Sequence, residues 1–321
     1  MPPGQHRVAL RAGLSVAVPL LTLVATDRTS WAVYAAFGAF TALYGRSRVH
    51  LPRAAMQCTA GLSLVTAVGL GALVSAVGVG PWALVLLSAL VAAAGSVAST
   101  VFDWHPSGPL FLLFAFGTVS AVPATTADVP VALAVSAASA ALAVVIGNVG
   151  AVARRTPWTA PPPLRRVPGY VDPLRYFLVT VLAGGAATAA GIGHPWWAMV
   201  AAVAPLSVSG RDHQAVRAAH RSVGTVLGLL TAAPLLLLGL DPVPLVLVVV
   251  VLQVVTELVV GRNYGIAMLF ITPMALLMGQ LGSSQDAAGL LLDRGVETLL
   301  GVVVALAVIV VEHGRASTAA H

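Results

Sequence analysis

The sequence predicts an all-α polytopic membrane protein, with about twelve transmembrane helices arranged as two parallel six-helix repeats. Of the 321 residues, 58% are hydrophobic and only 9% are charged, whereas soluble domains are about 45–50% apolar and about 25% charged. Apolar runs such as "PLVLVVVVLQVV" (244–255) are too continuous for a soluble surface. Runs of this kind recur along the chain, separated by glycine, proline and arginine.

These separators divide the chain into twelve candidate helices. A crossing takes about 20 residues, so twelve fit with short loops only. The first six are predicted at 8–26, 29–45, 50–78, 80–101, 107–123 and 128–153. The last six are predicted at 172–191, 195–209, 213–239, 243–261, 264–282 and 286–312. The segments 29–45, 107–123 and 195–209 are short, which predicts tilted or partly inserted helices.

The two halves of the chain are predicted to be copies of one another. Arg11 and Arg53 correspond to Arg175 and Arg217, each 164 residues later. Because each half has six helices, the copies share one orientation. The predicted domains are a first repeat, a Pro- and Arg-rich cytoplasmic linker and a second repeat, at 1–153, 154–171 and 172–321.

The arginines predict the orientation. All 17 basic residues are arginine, and 15 of them lie on one side if both termini and the linker are cytoplasmic. Only Arg28 then falls outside, and Arg294 lies within the last span. This bias is typical of multi-pass proteins of the cytoplasmic membrane. We therefore expect the lipid bilayer, and no nucleic acid, as the partner of the basic surface.

The stretch "AAHRSVGTVLGLL" (218–230) contains basic residues followed by two glycines, Gly224 and Gly228, four positions apart. Arg217, Arg221, Gly224, Thr225 and Gly228 share one helix face. The G-x-x-x-G spacing allows a second helix to approach closely, and basic groups at its cytoplasmic end predict a positive vestibule for anions. Membrane anchoring combined with helix packing explains the same pattern, so both interpretations stay open.

The stretch "LLLDRGVETLLGVVV" (290–304) places Asp293, Arg294, Glu297, Thr298 and Gly301 on one broad face at membrane depth. An unpaired charge there costs about 2.5–3.5 kcal/mol. These groups are therefore expected to face the bundle interior, with Arg294 paired to Glu297 or Asp293. A gate or proton relay is one interpretation, and a buried structural ion pair is the other.

The stretch "QVVTELVVGRNYGIAMLFITPMALL" (253–277) holds Glu257 near the inner end of one span, a polar turn and Pro273 within the next span. A proline-kinked helix either builds a binding site or simply serves packing. In "IGHPWWAMV" (192–200), the tryptophans are predicted to lie at the outer interface and His194 to be solvated. Stacking of the tryptophans on an aromatic substrate is the alternative.

Several motifs do not occur in the sequence. It contains no G-x-x-x-x-G-K-[ST], H-E-x-x-H, Cys-x-x-Cys or G-x-S-x-G pattern, and the single Cys58 excludes an internal disulfide. We therefore expect no ATP motor, no metal, no cofactor and no enzymatic activity. A transporter driven by an ion gradient is favoured over a non-transporting scaffold for envelope assembly.

The motifs "HRSVGTVLG", "ELVVGRNYGIAMLFITP" and "DRGVETLLG" resemble the membrane domain of the fusaric acid resistance (FUSC) family, which includes aromatic acid exporters. Plant aluminium-activated malate channels are similar in their six-helix domain. The resemblance implies export of small, aromatic carboxylate anions, with an anion channel as an alternative. Many relatives have a large cytoplasmic domain that this chain lacks, which implies a partner subunit or a homo-oligomer. By matched position, the resemblance implies functional roles for His220, Arg221, Gly224, Thr225, Glu257, Arg262, Asn263, Tyr264, Pro273, Arg294 and Glu297.

The sequence thus predicts three sets of site residues. The substrate vestibule comprises Arg53, Arg217, His220, Arg221, Thr225, Arg262, Asn263 and Tyr264. The gate or proton relay comprises Glu257, Asp293, Arg294 and Glu297. Helix packing and the kink depend on Gly224, Gly228, Pro273 and Gly301.

Overall fold

The computed structural model describes residues 5–48, 50–153, 159–166, 169, 171–282 and 286–318. Within these residues the chain forms twelve α-helices and no strand, which confirms the all-α prediction. The helices are α1 Gln5–Ala25, α2 Ala32–Ala39, α3 His50–Val77, α4 Pro81–Val101, α5 Leu110–Ser120, α6 Asp128–Ala153, α7 Val171–Ala189, α8 Pro195–Leu206, α9 Arg211–Leu237, α10 Pro242–Val259, α11 Tyr264–Gly282 and α12 Ala287–Thr318. Of the predicted linker, 159–166 is exposed and non-helical, and most of the rest lies outside the described residues.

Proline and glycine set many of the helix ends. Pro81 and Pro195 occupy the first positions of α4 and α8, where the missing N–H has no partner within the helix anyway. Gly78, Gly191 and Gly239 follow α3, α7 and α9 with φ of 69°, 68° and 53°. This left-handed conformation ends a helix and costs glycine little.

Three helices are too short to cross a bilayer as helices. The helices α2, α5 and α8 have 8, 11 and 12 residues, or about 12–18 Å against a hydrocarbon core of about 30 Å. The helices within the segments 29–45, 107–123 and 195–209 are thus shorter than the segments themselves, in keeping with the prediction of partly inserted helices, and 29–45 also includes two 3₁₀ turns at Thr29–Trp31 and Phe40–Leu43. Every residue of α8 from Trp196 to Leu206 is buried, and irregular backbone at membrane depth is tolerated inside protein.

The other helices are mostly long and apolar. Eight of the described helices have the length and composition needed to cross a membrane, namely α1, α3, α4, α6, α9, α10, α11 and α12. The helix α7 has 19 residues but begins with Asp172 and Arg175. Among the described residues, the candidate crossings therefore come from these eight long helices.

Helix contacts follow the same pattern in both halves. In the first half, α2 packs on α1 and α6, and α3 packs on α5 and α6; in the second half, α8 packs on α7 and α12, and α9 packs on α11 and α12. Between the halves, α1 contacts α10 and α4 contacts α7, while the inner helices pair as α2 with α11 and α5 with α8. The site described next lies between these inner helices.

The bundle has two chemically different ends. At the first, Arg48 and Arg165 bind Asp103 at 2.6 and 2.8 Å, and Arg175 binds Glu312 at 2.9 Å. We call this the basic end. At the opposite end, Asp27 follows α1, Asp241 precedes α10, Asp128 begins α6 and Asp293 lies in the second turn of α12; we call that side the acidic end.

Candidate functional site: a central cavity between the halves

A cavity of about 750 Å³ occupies the interface between the two halves. The short helices α2, α5 and α8 line it together with α9 to α12. Its lining extends from Arg46 and Ser107 at the basic end to Asp128 and Gly282 at the acidic end. The cavity therefore reaches residues at both ends of the bundle.

The first half contributes an aromatic wall. The ring centroids of Phe37 and Phe40 lie 5.6 Å apart, those of Phe37 and Phe114 lie 5.2 Å apart, and those of Phe40 and Phe111 lie 5.6 Å apart, all in edge-to-face geometry. All four phenylalanines line the cavity. Sequence reasoning missed this wall, because a phenylalanine in an apolar helix has no signal that distinguishes a cavity from a core.

The second half contributes arginines, of which Arg221 is the best placed to bind a ligand. Its side chain is only 3% exposed, and its Nη1 donates to the Tyr264 hydroxyl at 3.0 Å. Its Nε and Nη2 are buried and have no hydrogen-bond partner among the described residues. These two nitrogens form the side of a guanidinium that can bind both oxygens of a carboxylate, and we call this side the Arg221 fork.

Arg217 also lines the cavity, but its side chain is held by protein groups. Its Nε donates to the Ala204 carbonyl at 3.0 Å, and its guanidinium lies 4.0 Å from the centroid of the Tyr264 ring. Arg217 therefore ties α9 to α8 and supports the tyrosine that anchors Arg221.

Arg294 reaches the cavity from α12. It is 2% exposed, and its guanidinium lies 5.0 Å from the Trp197 ring centroid. Its Nε and Nη1 have no hydrogen-bond partner in the described structure. Two buried guanidinium groups with free donors, Arg221 and Arg294, therefore share one cavity.

The expected ion pair of Arg294 with Glu297 or Asp293 is wrong for these described residues. Both carboxylates contact His194 instead. The His194 Nδ1 lies 2.8 Å from Asp293 Oδ2, and the His194 backbone N–H donates to Glu297 Oε1 at 2.8 Å. The reason is that His194, at the start of α8, lies directly beside this turn of α12. The sequence pattern could not predict these contacts, because His194 lies about a hundred positions from Asp293 and Glu297.

The predictions for the "GHPWW" segment also need correction. The His194 side chain is only 20% exposed, and its ring stacks on Trp197 with centroids 4.6 Å apart. Trp196 and Trp197 are buried and line the cavity rather than an outer interface. The alternative, a stacking surface beside a ligand, agrees with this position.

Glu257 faces the cavity from α10. It is 4% exposed, and its Oε2 lies 3.5 Å from Nη1 of Arg46. This ion pair joins the two halves at the basic end. Arg46 is a second site residue that sequence reasoning missed, because it follows a 3₁₀ turn and belongs to no motif.

Five predicted vestibule residues are not among the lining residues of the cavity. Arg53 is buried and donates to the Gly45 and Gly147 carbonyls at 3.2 and 2.7 Å. His220 packs beside Gly265, Thr225 is buried, and Arg262 is exposed. Asn263 Oδ1 accepts from the Ile266 N–H at 3.0 Å and so caps α11.

The predicted packing residues lie at helix crossings. A Cβ on Gly224 would be 2.6 Å from Met268 Cβ, and one on Gly228 would be 2.7 Å from Thr272 Cβ, so α9 and α11 touch there. A Cβ on Gly301 would overlap the Ala198 carbonyl oxygen of α8. Pro273 is buried within α11.

The long apolar helices and the charged cavity between them define the class as a multi-pass membrane protein. Residues 182–308 match the family described as "Fusaric acid resistance protein-like". The chain is therefore a multi-pass membrane protein with a fusaric acid resistance protein-like segment, and the resemblance inferred from the second half is confirmed over these residues.

One curated relative is a membrane protein from Bacillus subtilis (strain 168), named "Uncharacterized membrane protein YvaC". It is 28% identical over 140 residues, which cover 43% of this chain and 22% of that protein. The match thus spans about a fifth of the relative's length. No solved structure matches the chain.

Proposed function

We propose that this protein is a transporter that exports small aromatic carboxylate anions, driven by an ion gradient rather than by ATP. The observation that carries the proposal is the central cavity, which is lined both by Arg221 and Arg294, whose buried donors lack a hydrogen-bond partner in the described structure, and by the four-phenylalanine wall. The two arginines suit the carboxylate of such a ligand, and the phenylalanine wall suits its aromatic ring.

The energetics favour an anionic ligand. A buried guanidinium without a partner is costly, and a carboxylate bound to the Arg221 fork would supply two charge-assisted hydrogen bonds. The cavity of about 750 Å³ lies within the range of about 300–1,000 Å³ typical of small-molecule sites. A ring packed against Phe37 and Phe114 would add edge-to-face contacts.

The architecture suits alternating access. We infer two parallel repeats of six helices, supported by the matching helix contacts of the two halves. With the basic end in the cytoplasm, both termini are cytoplasmic and the protein lies in the cytoplasmic membrane. Rocking of the halves about the cavity would expose the ligand to each side in turn.

Coupling to an ion gradient needs groups that gain and lose a proton within the bundle. Glu257, Asp293 and Glu297 provide carboxylates there, and His194 contacts two of them. Glu297 Oε2 is buried without a hydrogen-bond partner in the described structure, and Glu257 Oε2 has only its 3.5 Å ion pair with Arg46. Ionisable groups at membrane depth commonly form such relays.

The proposal is tested with purified protein in liposomes preloaded with benzoate. We expect accumulation of labelled benzoate by counterflow, competition by other aromatic carboxylates and none by choline. Arg294→Gln should abolish counterflow, whereas Arg262→Gln, an exposed arginine outside the cavity lining, should not. Benzoate flux without counterflow would indicate a channel, and absence of any flux would favour a scaffold; either result contradicts the proposal.

A further inference from the structure

We propose that the contact between Ser107 and Ser207 is the gate through which the central cavity opens to the basic end. The inference rests on the proposed function, because it assigns the control of access to the same site. It starts from a second cavity that none of the predicted site residues lines.

The second cavity has a volume of about 520 Å³ and lies at the basic end. Its lining is polar and includes Ser99, Asp103, Arg165, Arg175 and Gln214. We call it the polar chamber. Its charged lining residues are Arg165 and Arg175 together with Asp103 and Asp172, so a polar ligand that comes from water meets hydrogen-bonding groups there rather than an apolar barrier.

The polar chamber and the central cavity meet at one point. Among the described residues, Ser107 and Ser207 are the two that line both. The Ser107 hydroxyl donates to the Ser207 carbonyl at 2.8 Å. The partition between the two cavities is therefore a contact between two small residues joined by one neutral hydrogen bond, the kind of contact that can break and re-form.

The contact also lies where movement of the halves would break it. Ser107 belongs to the loop between α4 and α5 in the first half, and Ser207 directly follows α8 in the second. Gly108 has a φ of 86°, and a Cβ there would lie 2.7 Å from Ser207 Oγ and 3.2 Å from the Tyr176 hydroxyl. Glycine at position 108 thus allows this loop to contact the end of α8 closely. Separation of α5 from α8 would break the contact between Ser107 and Ser207.

A competing route exists beside the Arg46–Glu257 ion pair, which also borders the central cavity at the basic end. If anions passed there, fixing the serine contact would leave access unchanged. This difference makes the proposal testable.

The test is a reversible cross-link. In a Cys58→Ala background, Ser107→Cys is combined with Ser207→Cys, and Ala275→Cys reports access to the central cavity, which Ala275 lines from α11. Benzoate counterflow is measured before oxidation, after oxidation and after reduction. Labelling of the Ala275→Cys peptide by a membrane-impermeant maleimide, added to each side in turn, is measured by mass spectrometry.

We expect oxidation to reduce counterflow, and labelling from the basic end, at least tenfold, and reduction to restore both. The matched control is Thr231→Cys with Leu269→Cys. The Thr231 hydroxyl donates to the Leu269 carbonyl at 3.0 Å within the second half, and neither residue lines the central cavity or the polar chamber. Cross-linking this pair should change neither readout.

Two results would overturn the gate: a pair that cross-links without effect on labelling, and a pair that does not cross-link at all. A different result separates the gate from the function. If no variant, including the parent, carries benzoate but the cross-link still blocks labelling, the gate stands and the proposed function fails.

Discussion

Replacing Arg221 by lysine should weaken ligand binding with little effect on stability. Lysine keeps the positive charge and can still donate to Tyr264, but it loses the two parallel donors of the Arg221 fork. A hydrogen bond to a charged group contributes about 1.5–3 kcal/mol, which corresponds to roughly 10- to 150-fold in Kd. Because the Nε and Nη2 donors have no protein partner in the described structure, the free energy of unfolding should change by less than about 1 kcal/mol.

Arg217→Lys is the comparison variant, in which the loss of stability should be the larger effect. Its Nε binds the Ala204 carbonyl and its guanidinium covers the Tyr264 ring, so its replacement should destabilise the protein by about 1–2 kcal/mol. Benzoate titration followed by tryptophan fluorescence measures Kd, since Trp196 and Trp197 line the cavity. Thermal unfolding in detergent measures stability. Unchanged Kd in Arg221→Lys, or equal stability losses in both variants, would refute the assignment of the fork.

Three further predictions concern the relay, the packing and the topology. Glu297→Gln keeps an acceptor for the His194 N–H, so yield should remain near wild type while gradient-driven export falls at least tenfold; collapsed yield would indicate a structural carboxylate instead. Gly301→Val should lower the free energy of unfolding by about 1–3 kcal/mol or more, because its side chain meets α8, whereas Gly279→Val has open space and should cost less in the same thermal assay. Reporter fusions at residue 163 and at the C-terminus should both show cytoplasmic activity, because 15 of 17 arginines then lie inside; periplasmic activity at either position contradicts the proposed orientation.

Helix boundaries were predictable wherever glycine, proline or charge marks an end. The predicted segments 128–153 and 264–282 coincide with α6 and α11, and 50–78 differs from α3 by one residue. The segment 29–45 was harder, because its uniform apolarity hides the 3₁₀ turns at both ends of α2. Apolar composition indicates a location at membrane depth, whether against lipid or inside the bundle, but it does not distinguish a full crossing from a short inner helix.

The site was only partly predictable, for reasons of distance in the chain. The sequence pointed to Arg221, Glu257 and Arg294 because charge is rare in apolar helices, and all three line the cavity. It assigned Arg294 the wrong partner because the nearest carboxylates in sequence are three positions away or adjacent. His194 takes those carboxylates through a contact that only the packing of α8 on α12 creates.

The complete burial of α8 has a consequence for how the chain enters the membrane. A helix of 12 residues containing Pro205 is too short to partition stably into lipid by itself. One of its main packing partners is α12, whose Gly301 fits against Ala198, and α12 begins only at Ala287. At a synthesis rate of ~5–20 residues per second, several seconds pass between the synthesis of α8 and that of α12. The burial of α8 must therefore be completed after the last helix has been translated.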